Sequence, residues 1–518
     1  MQAYDLLVVG GGINGAAVAR DAAGRWLSVC LVEAGDPAGA TSGASSKLIH
    51  GGLRYLEQYA FGLVRESLRE RTIMLRIAPH LTRPCRFVLP LHKGMRPAWM
   101  VQLGLWLYDK LGGQDALPDA TRIRLDDGSD WAAPLRPGFK EGFLYFDVQV
   151  DDARLVILTL RDAEAHGADI LTRTRFLGAH RDSGPEAVWQ CRLQPEDATR
   201  ATQTVAARAI VNAAGPWVSR VLDTFSELRE QPQPGVQLVR GSHIVVPRCY
   251  AGEHAYTLQN EDGRVVFLLP FHEHWTLIGT TDVRTELPDR AEDAPQASIE
   301  EINYLCHAAS RYLNRPVTED QIAWTYAGLR PLYDDGKTNP SAVTRDYRLV
   351  LDKTDGAPLL SVFGGKLTTH RHLAEVVMGK LAPWFPHLGA TWTADTPLPG
   401  GDSDGHDFSA ATAEFFQAYA NLPEDVTQGL WQRHGTLAFE LLENVRAASD
   451  LGQGFGAGLT ELEALHFIRH EWAHSADDIL WRRSKAGLAM TAEQRARFGE
   501  WFTRHGRTQE GTIMKIHA

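Results

Sequence analysis

The stretch YDLLVVGGGINGAAVARDAAGRWLSVCLVE, residues 4–33, decides the fold. Tyr4 to Val9 is a short apolar run suited to a buried parallel strand. Gly10, Gly12 and Gly15 follow where a tight turn, the close approach of a pyrophosphate and helix packing each exclude a side chain, with Asn14 between them. The spacing then predicts a helix over Ala16 to Gly24, whose first turn offers unpaired N–H groups and a positive dipole end to a diphosphate. A second apolar strand, Ser28 to Val32, delivers Glu33 about twenty residues past the turn. A carboxylate there accepts hydrogen bonds from both hydroxyls of an adenosine ribose and repels a 2′-phosphate. Glycine loops alone are common, but strand, glycines, helix, strand and acid in register define a dinucleotide-binding unit.

The chain has 518 residues, enough for two or three domains, and its 44% hydrophobic and 23% charged content is that of a soluble globular enzyme. Five scattered cysteines without a CxxC pair point to a reducing compartment and away from a disulfide framework or a zinc site. No HExxH, nucleophile elbow or acid cluster suggests metal-assisted or covalent hydrolysis, so no metal is expected. The first strand begins within a few residues of Met1, with no charged leader, so no signal peptide is expected. No window reaches the roughly eighteen apolar residues of a membrane span. The net charge of −11 argues against general nucleic-acid binding.

That charge is uneven. Residues 1–110 carry 13 Lys and Arg against 8 Asp and Glu, and Arg65, Arg69, Arg71, Arg76, Arg83, Arg86, Lys93 and Arg96 face only Glu66 and Glu70. Directly after them comes the almost wholly apolar run Ala98 to Tyr108. Two readings stand: a core helix flanked by solvated charges, and a short aromatic helix lying in the headgroup layer of an anionic membrane.

Residues 205–218 read as a further strand ending in a glycine turn at Ala213-Ala214-Gly215, and Leu359 to Phe363 as another, ending in Gly364-Gly365. Small residues at both strand ends suit a long cofactor lying across the carboxyl edge of a doubly wound sheet. The dinucleotide domain is therefore discontinuous, in pieces of about 1–80, 145–235 and 345–395. Alternating runs such as Gly241 to Pro247 and Arg264 to Pro270 place an antiparallel sheet domain between them, about 81–144 and 236–344. After the turn-rich residues 396–405 a helical third unit, 401–518, is expected.

Four clusters carry chemistry by residue type. Ser45 to Glu57 holds Lys47, His50, Arg54 and Tyr55 around Gly51-Gly52, and Gly241-Ser242-His243 places a histidine at an inner strand. Gly328-Leu329-Arg330 places an arginine between turn residues. Phe363 to Thr369 brings Lys366 to the first turn of a helix that continues through Leu373, Val377 and Leu381, where dipole and ammonium would stabilise a reduced, anionic flavin. Arg54, Arg330 and Lys366 together suit a phosphate dianion. His50 or His243 suits removal of an alcohol proton as hydride leaves its carbon.

The motifs GGGINGAAVARDAAGR, SSKLIHGGLRYLE, VDDARL, VNAAGPWV, GSHIVVP, IGTTDV, GLRPL and SVFGGKLTTHR, with Ala476 to Arg483 near the end, resemble the FAD-dependent, respiratory glycerol-3-phosphate dehydrogenases of bacterial aerobic type over essentially the whole chain. The resemblance implies a glutathione-reductase-like FAD domain, a substrate-binding sheet domain and a C-terminal helical domain. It implies oxidation of sn-glycerol 3-phosphate to dihydroxyacetone phosphate, with FAD passing electrons to ubiquinone or menaquinone. The enzyme would be a homodimer, peripheral on the cytoplasmic face of the membrane. Cofactor contacts are then assigned to Gly10, Gly12, Asn14, Gly15, Glu33, Ser45, Ser46, Lys47, His50, Gly51, Gly52, Ala214, Gly215, Gly364, Gly365, Lys366, Leu367 and Thr368. Catalysis falls to His50, His243, Arg330 and Lys366, and substrate binding to Arg54, Tyr55, Arg330 and Lys366. The chain departs from the pattern at Ala214, where many relatives carry Thr, and at His370, where an aromatic residue is common. The rivals are an α-glycerophosphate oxidase using oxygen, an amino-acid oxidase of the same flavin superfamily, and a flavin-bound membrane adaptor without turnover.

Overall fold

The structure, a computed structural model, describes residues 2–92, 94–113, 117–126, 128–182, 184, 187–226, 235–288, 295–334, 346–352, 356–403 and 407–506, the side chains of Arg54 and Gln58 excepted. The fingerprint forms the centre of its first sheet. Strands Gln2–Val9 and Val29–Val32 pair in parallel. The parallel run extends through Gln203–Asn212 to Leu359–Phe363 on one side and to Asp169–Leu171 on the other. Leu6 and Val8 face one way, into a core shared with Ala16 and Val18 of the helix Ile13–Gly24, Leu155 of Asp152–Ala165 and Leu373 of His370–Leu381. Leu7 and Val9 face the other way, against Trp189 and Phe225. Both faces are covered, which is why these strands read as unbroken apolar runs. The helix Ile13–Gly24 crosses its strand in contact, since a Cβ on Gly15 would lie 1.9 Å from the Gly10 carbonyl oxygen.

The second sheet is largely antiparallel and is built on the long strands Val236–Pro247 and Trp324–Tyr333, paired from Val236↔Tyr333 to Val245↔Trp324. One face packs on the helix Ile299–Ser310, which starts with a Ser298/Glu301 capping box. The C-terminal unit is helical as expected, with a small hairpin of Gly454–Gly456 and Leu459–Thr460 and an i→i+5 helical turn at Asp478–Arg483.

Three local expectations change. The strand Glu141–Val150 lies wholly in the second sheet, and that sheet also recruits Leu48–Ile49, so the pieces of the two domains interleave more tightly than 81–144 and 145–235 allow. The helix after Phe363 does not begin at Gly365. Gly364 and Gly365 have φ of +78° and +100°, and Lys366 is extended, so a 3₁₀ turn at Leu367–Thr369 precedes the helix from His370.

The run from Ala98 is a helix, Ala98–Gly112, but not a core one. Leu105 and Tyr108 are its buried residues, while Trp99, Leu103 and Trp106 are 63%, 54% and 55% exposed. The flanking basic residues do not form one patch either. Arg71 is buried against Asp147 at 2.7 Å, Arg96 pairs with Glu57 at 3.4 Å, Arg76 pairs with Asp395 at 2.9 Å, and Lys93 lies outside the described residues. Among the described residues, no helix is long and apolar enough to cross a membrane.

Candidate active site

A cavity of about 1300 Å³ runs between the two sheets along the carboxyl edge of the first. At one end stands Glu33, whose carboxylate accepts from the N–H groups of Gly11 at 2.6 Å and Gly35 at 2.8 Å. Burial pushes Glu33 above the usual carboxylate range, against the pull of those two donors. Next come Gly10, Gly12, Ile13 and Asn14, the glycine turn and the start of its helix. Gly10 has a φ of +111°, and a Cβ there would strike the Ala213 carbonyl oxygen at 2.6 Å, so the turn admits only glycine. Asn14 donates to the Gly364 carbonyl at 3.2 Å and keeps a buried Oδ1 with no protein partner, as does the Trp217 indole N–H on the same cavity. Buried polar atoms left open on a cavity wall are what a polar ligand satisfies.

The other end is set by close packing across the second sheet. Arg330 reaches over Gly241, where a Cβ would come within 2.3 Å of the guanidinium. The guanidinium donates to Thr280 Oγ1 at 2.7 Å, to the Thr281 carbonyl at 3.2 Å and to the Asp282 carboxylate. His243 lies opposite Gly279, where a Cβ would stand 2.0 Å from the imidazole, so the glycine is what makes room for the ring. The imidazole stacks on Tyr326 at 4.7 Å, and its Nε2 hydrogen-bonds Ser46 Oγ at 2.9 Å. Burial, reinforced by the Arg330 and Lys47 charges, holds its pKa well below the ordinary histidine value, so the ring is neutral. Lys366 Nζ sits 3.8 Å from the centroid of the Tyr55 ring. That ring packs over Gly52, at φ +76°, where a Cβ would be 2.1 Å from it. The backbone N–H of His50 donates to Thr368 Oγ1 at 3.3 Å, tying the two loops together.

Of the residues assigned from sequence, Gly10, Gly12, Asn14, Glu33, Ser45, Ser46, His50, Gly52, Tyr55, Ala214, Gly215, His243, Arg330, Gly364, Gly365, Lys366, Leu367 and Thr368 all line this one cavity. Three do not. Lys47 turns away, its ammonium bound to Asp152 at 2.8 and 2.9 Å and to the Gly43 carbonyl, and burial lowers its pKa against the pull of Asp152. Gly51 is consumed in packing and donates its N–H to the Tyr108 hydroxyl at 2.8 Å. Gly15 serves the helix–strand contact described above. Arg54 belongs to the 3₁₀ turn Leu53–Gln58, and its side chain lies outside the described residues.

Sequence reasoning passed over Asp152, which accepts from Ser45 Oγ at 2.8 Å and so shapes the whole SSK loop. It also passed over Thr280 and Asp282, which hold Arg330. These residues stand in the VDDARL and IGTTDV runs, but in the first of them Asp151 also caps the helix Asp152–Ala165, accepting from the Arg154 N–H at 3.1 Å, so an acid there reads locally as a helix start.

A doubly wound sheet with this cavity along its carboxyl edge and cationic and imidazole groups at one end defines an FAD-dependent oxidoreductase. A family model of that description matches residues 5–371, and one for the C-terminal domain of α-glycerophosphate oxidase matches residues 391–498. The chain is 45% identical to the aerobic glycerol-3-phosphate dehydrogenase of Escherichia coli, over 98% of each chain. It is 46% identical to the D-erythritol 1-phosphate dehydrogenase of Brucella abortus, over 96% of this chain and 97% of that one. The crystal structure of the glycerol-3-phosphate dehydrogenase from Bacillus halodurans complexed with FAD superposes with a TM-score of 0.73 at 26% identity, covering 97% of this chain and 94% of that one. The chain belongs to the FAD-dependent glycerol-3-phosphate dehydrogenase family, and FAD is its cofactor.

Proposed function

We propose that the chain oxidises sn-glycerol 3-phosphate at C2 to dihydroxyacetone phosphate and that its electrons leave to a membrane quinone, ubiquinone or menaquinone. The observation that carries this reading is that Arg330, Lys366, Tyr55, His50 and His243 all line the same cavity as Glu33 and the glycine turn. Bound FAD supplies the hydride acceptor there. Arg330 offers a planar fork to phosphate oxygens and is held to one orientation by Thr280 and Asp282. Lys366 adds a second positive charge, fixed against Tyr55. His243, neutral before substrate arrives, takes the hydroxyl proton, and a phosphate dianion beside Arg330 weakens the repulsion that lowers its basicity. His50 closes the same wall and positions the substrate carbon.

The acceptor half of the proposal rests on where the cavity leads. Its lining continues past Met100, Leu103, Gly104 and Leu107 to Tyr59 and Phe61, beside the exposed Trp99, Leu103 and Trp106. Exposed apolar residues on one side of a short helix suit insertion into the headgroup layer, and an opening there suits an isoprenoid quinone. Peripheral attachment to the cytoplasmic membrane face and a homodimeric state belong to the same proposal.

The test is anaerobic addition of glycerol 3-phosphate, and separately of erythritol phosphate, while following the visible flavin absorbance. Bleaching by the three-carbon substrate at far lower concentration supports the reading. Preferential bleaching by the four-carbon substrate transfers it to the longer polyol. Arg330→Ala is expected to lower the bimolecular rate of flavin reduction on the order of a hundredfold, the worth of about 2–3 kcal/mol of charge-assisted hydrogen bonding. Near-normal single-turnover reduction in that variant removes Arg330 from the phosphate site. Comparing quinone reduction with peroxide yield separates a dehydrogenase from an oxidase.

A further inference from the structure

We propose that the C-terminal helical domain is part of the FAD site, with Ser475, Asp477 and Arg482 forming the outer wall of its adenosine end and an arginine clasp on Asp36 holding that wall in place. Glu33 marks the adenosine end, because the acid that closes the second strand of the fingerprint is the one that takes the ribose hydroxyls. Around it the cavity has two sides. Glu33, Gly35 and Arg173 come from the dinucleotide domain, and Ser475, Asp477 and Arg482 come from the C-terminal unit, 302 or more positions later in the chain.

The two sides are joined by charge. Asp36, three residues past Glu33, receives both nitrogens of the Arg483 fork at 2.6 and 2.7 Å and the Arg482 Nε at 2.5 Å. The Arg483 and Asp36 side chains are 0% and 4% exposed, so this is an interior contact rather than a surface pair. Asp478 completes the clasp from the other direction. Its carboxylate accepts from the His474 and Ser475 N–H groups at 2.8 and 2.9 Å and from Arg173 at 3.1 Å. Arg173 in turn sits on the loop that pairs with the Glu33 loop, its N–H donating to the Gly35 carbonyl at 3.1 Å. The widened i→i+5 turn at Asp478–Arg483 lets consecutive arginines converge on one carboxylate, and such turns recur at binding sites.

The consequence is that FAD cannot leave by its adenosine end while the clasp is closed. Loss of the wall therefore shows as faster cofactor release. Holoenzymes of wild type, Arg482→Ala, Asp477→Ala and Lys485→Met are diluted, and the recovery of free-FAD fluorescence is timed. Lys485 docks the same domain onto the dinucleotide domain through Asp151, at 2.5 Å, and does not line the cavity. Release at least tenfold faster in Arg482→Ala, faster than wild type in Asp477→Ala, and clearly slower in Lys485→Met than in Arg482→Ala, supports the wall. Release within twofold of wild type in both cavity variants overturns it. Equal acceleration in Lys485→Met and Arg482→Ala also overturns it, since domain docking in general would then govern release. Arg482→Lys, which keeps the charge and loses the fork, is expected to fall between wild type and Arg482→Ala.

Discussion

The dinucleotide domain meets its surroundings through two opposite kinds of surface. Beneath the C-terminal domain it is charged and dry: Arg154 pairs with Glu471 at 0% and 1% side-chain exposure, and Lys485 reaches Asp151 at 2.5 Å. Beside the helix Ala98–Gly112 it is apolar and open, with Trp99 63% and Trp106 55% exposed. The usual distribution is inverted at both places. A buried ion pair gains little net free energy once desolvation is counted, but its hydrogen bonds are satisfied in one alignment of the two domains only. An apolar face has no such demand for alignment and accommodates a fluid partner. The first surface therefore fits a permanent, oriented contact, and the second a lipid one.

The largest effect expected from this contrast lies in the charged interface. Arg154→Met leaves Glu471 buried without its partner and is expected to cost about 3–5 kcal/mol in urea unfolding, as broken buried pairs do. A loss below about 1 kcal/mol would mean that water reaches Glu471. At the apolar surface, the combined variant Trp99→Ser, Leu103→Ser and Trp106→Ser is expected to weaken flotation with anionic liposomes on the order of a hundredfold. Its folding should be little changed, because those side chains already face outward. Unchanged flotation would assign the membrane contact to another face.

Acid should open the charged interface first. Burial lowers His80 to about 3, with help from the Arg154 and His434 charges, so the unfolded chain binds the extra proton between pH 6.5 and 3. Stability from this group is present above pH 6.5 and lost as pH falls toward 3. Asp151 acts in the same direction over a lower window. Burial opposes its ionisation, but Lys485 holds it at about 2, so its contribution is lost as pH falls from the ordinary carboxylate range toward 2. Thermal unfolding of wild type and His80→Leu between pH 7 and 4 checks this: the variant should show the flatter profile. The smallest effect is expected at the exposed pair Arg96–Glu57, where Glu57→Gln should change stability by less than about 1 kcal/mol.

What could be read in advance followed the range of the interactions involved. The fingerprint is local: strand, turn and helix all form within thirty residues, and each glycine answers to a backbone constraint visible in its own spacing. Arg330 and His243 were legible as types, but their settings were not. Gly241 reaches Arg330 from the paired strand and Thr280 and Asp282 from the connection after Gly279, while Gly279 makes room for His243 across a strand pair. Lys47 misled because a lysine in a motif beside a flavin site resembles a ligand. Its partner Asp152 stands 105 residues away, and only folding shows that the pair is spent on the loop itself.

The sequence by itself determined the nucleotide-binding sheet, the family and the residue types at the reacting end, because these depend on short-range periodicity and on glycines whose conformations nothing else can adopt. The tertiary structure alone decided which charges are cavity wall and which are internal partners, that the helix Ala98–Gly112 presents its tryptophans outward, and that residues 475–483 return to cover the start of the chain. Those outcomes depend on desolvation and on contacts across hundreds of residues, and no local pattern encodes where a side chain ends up once the whole chain has closed around it.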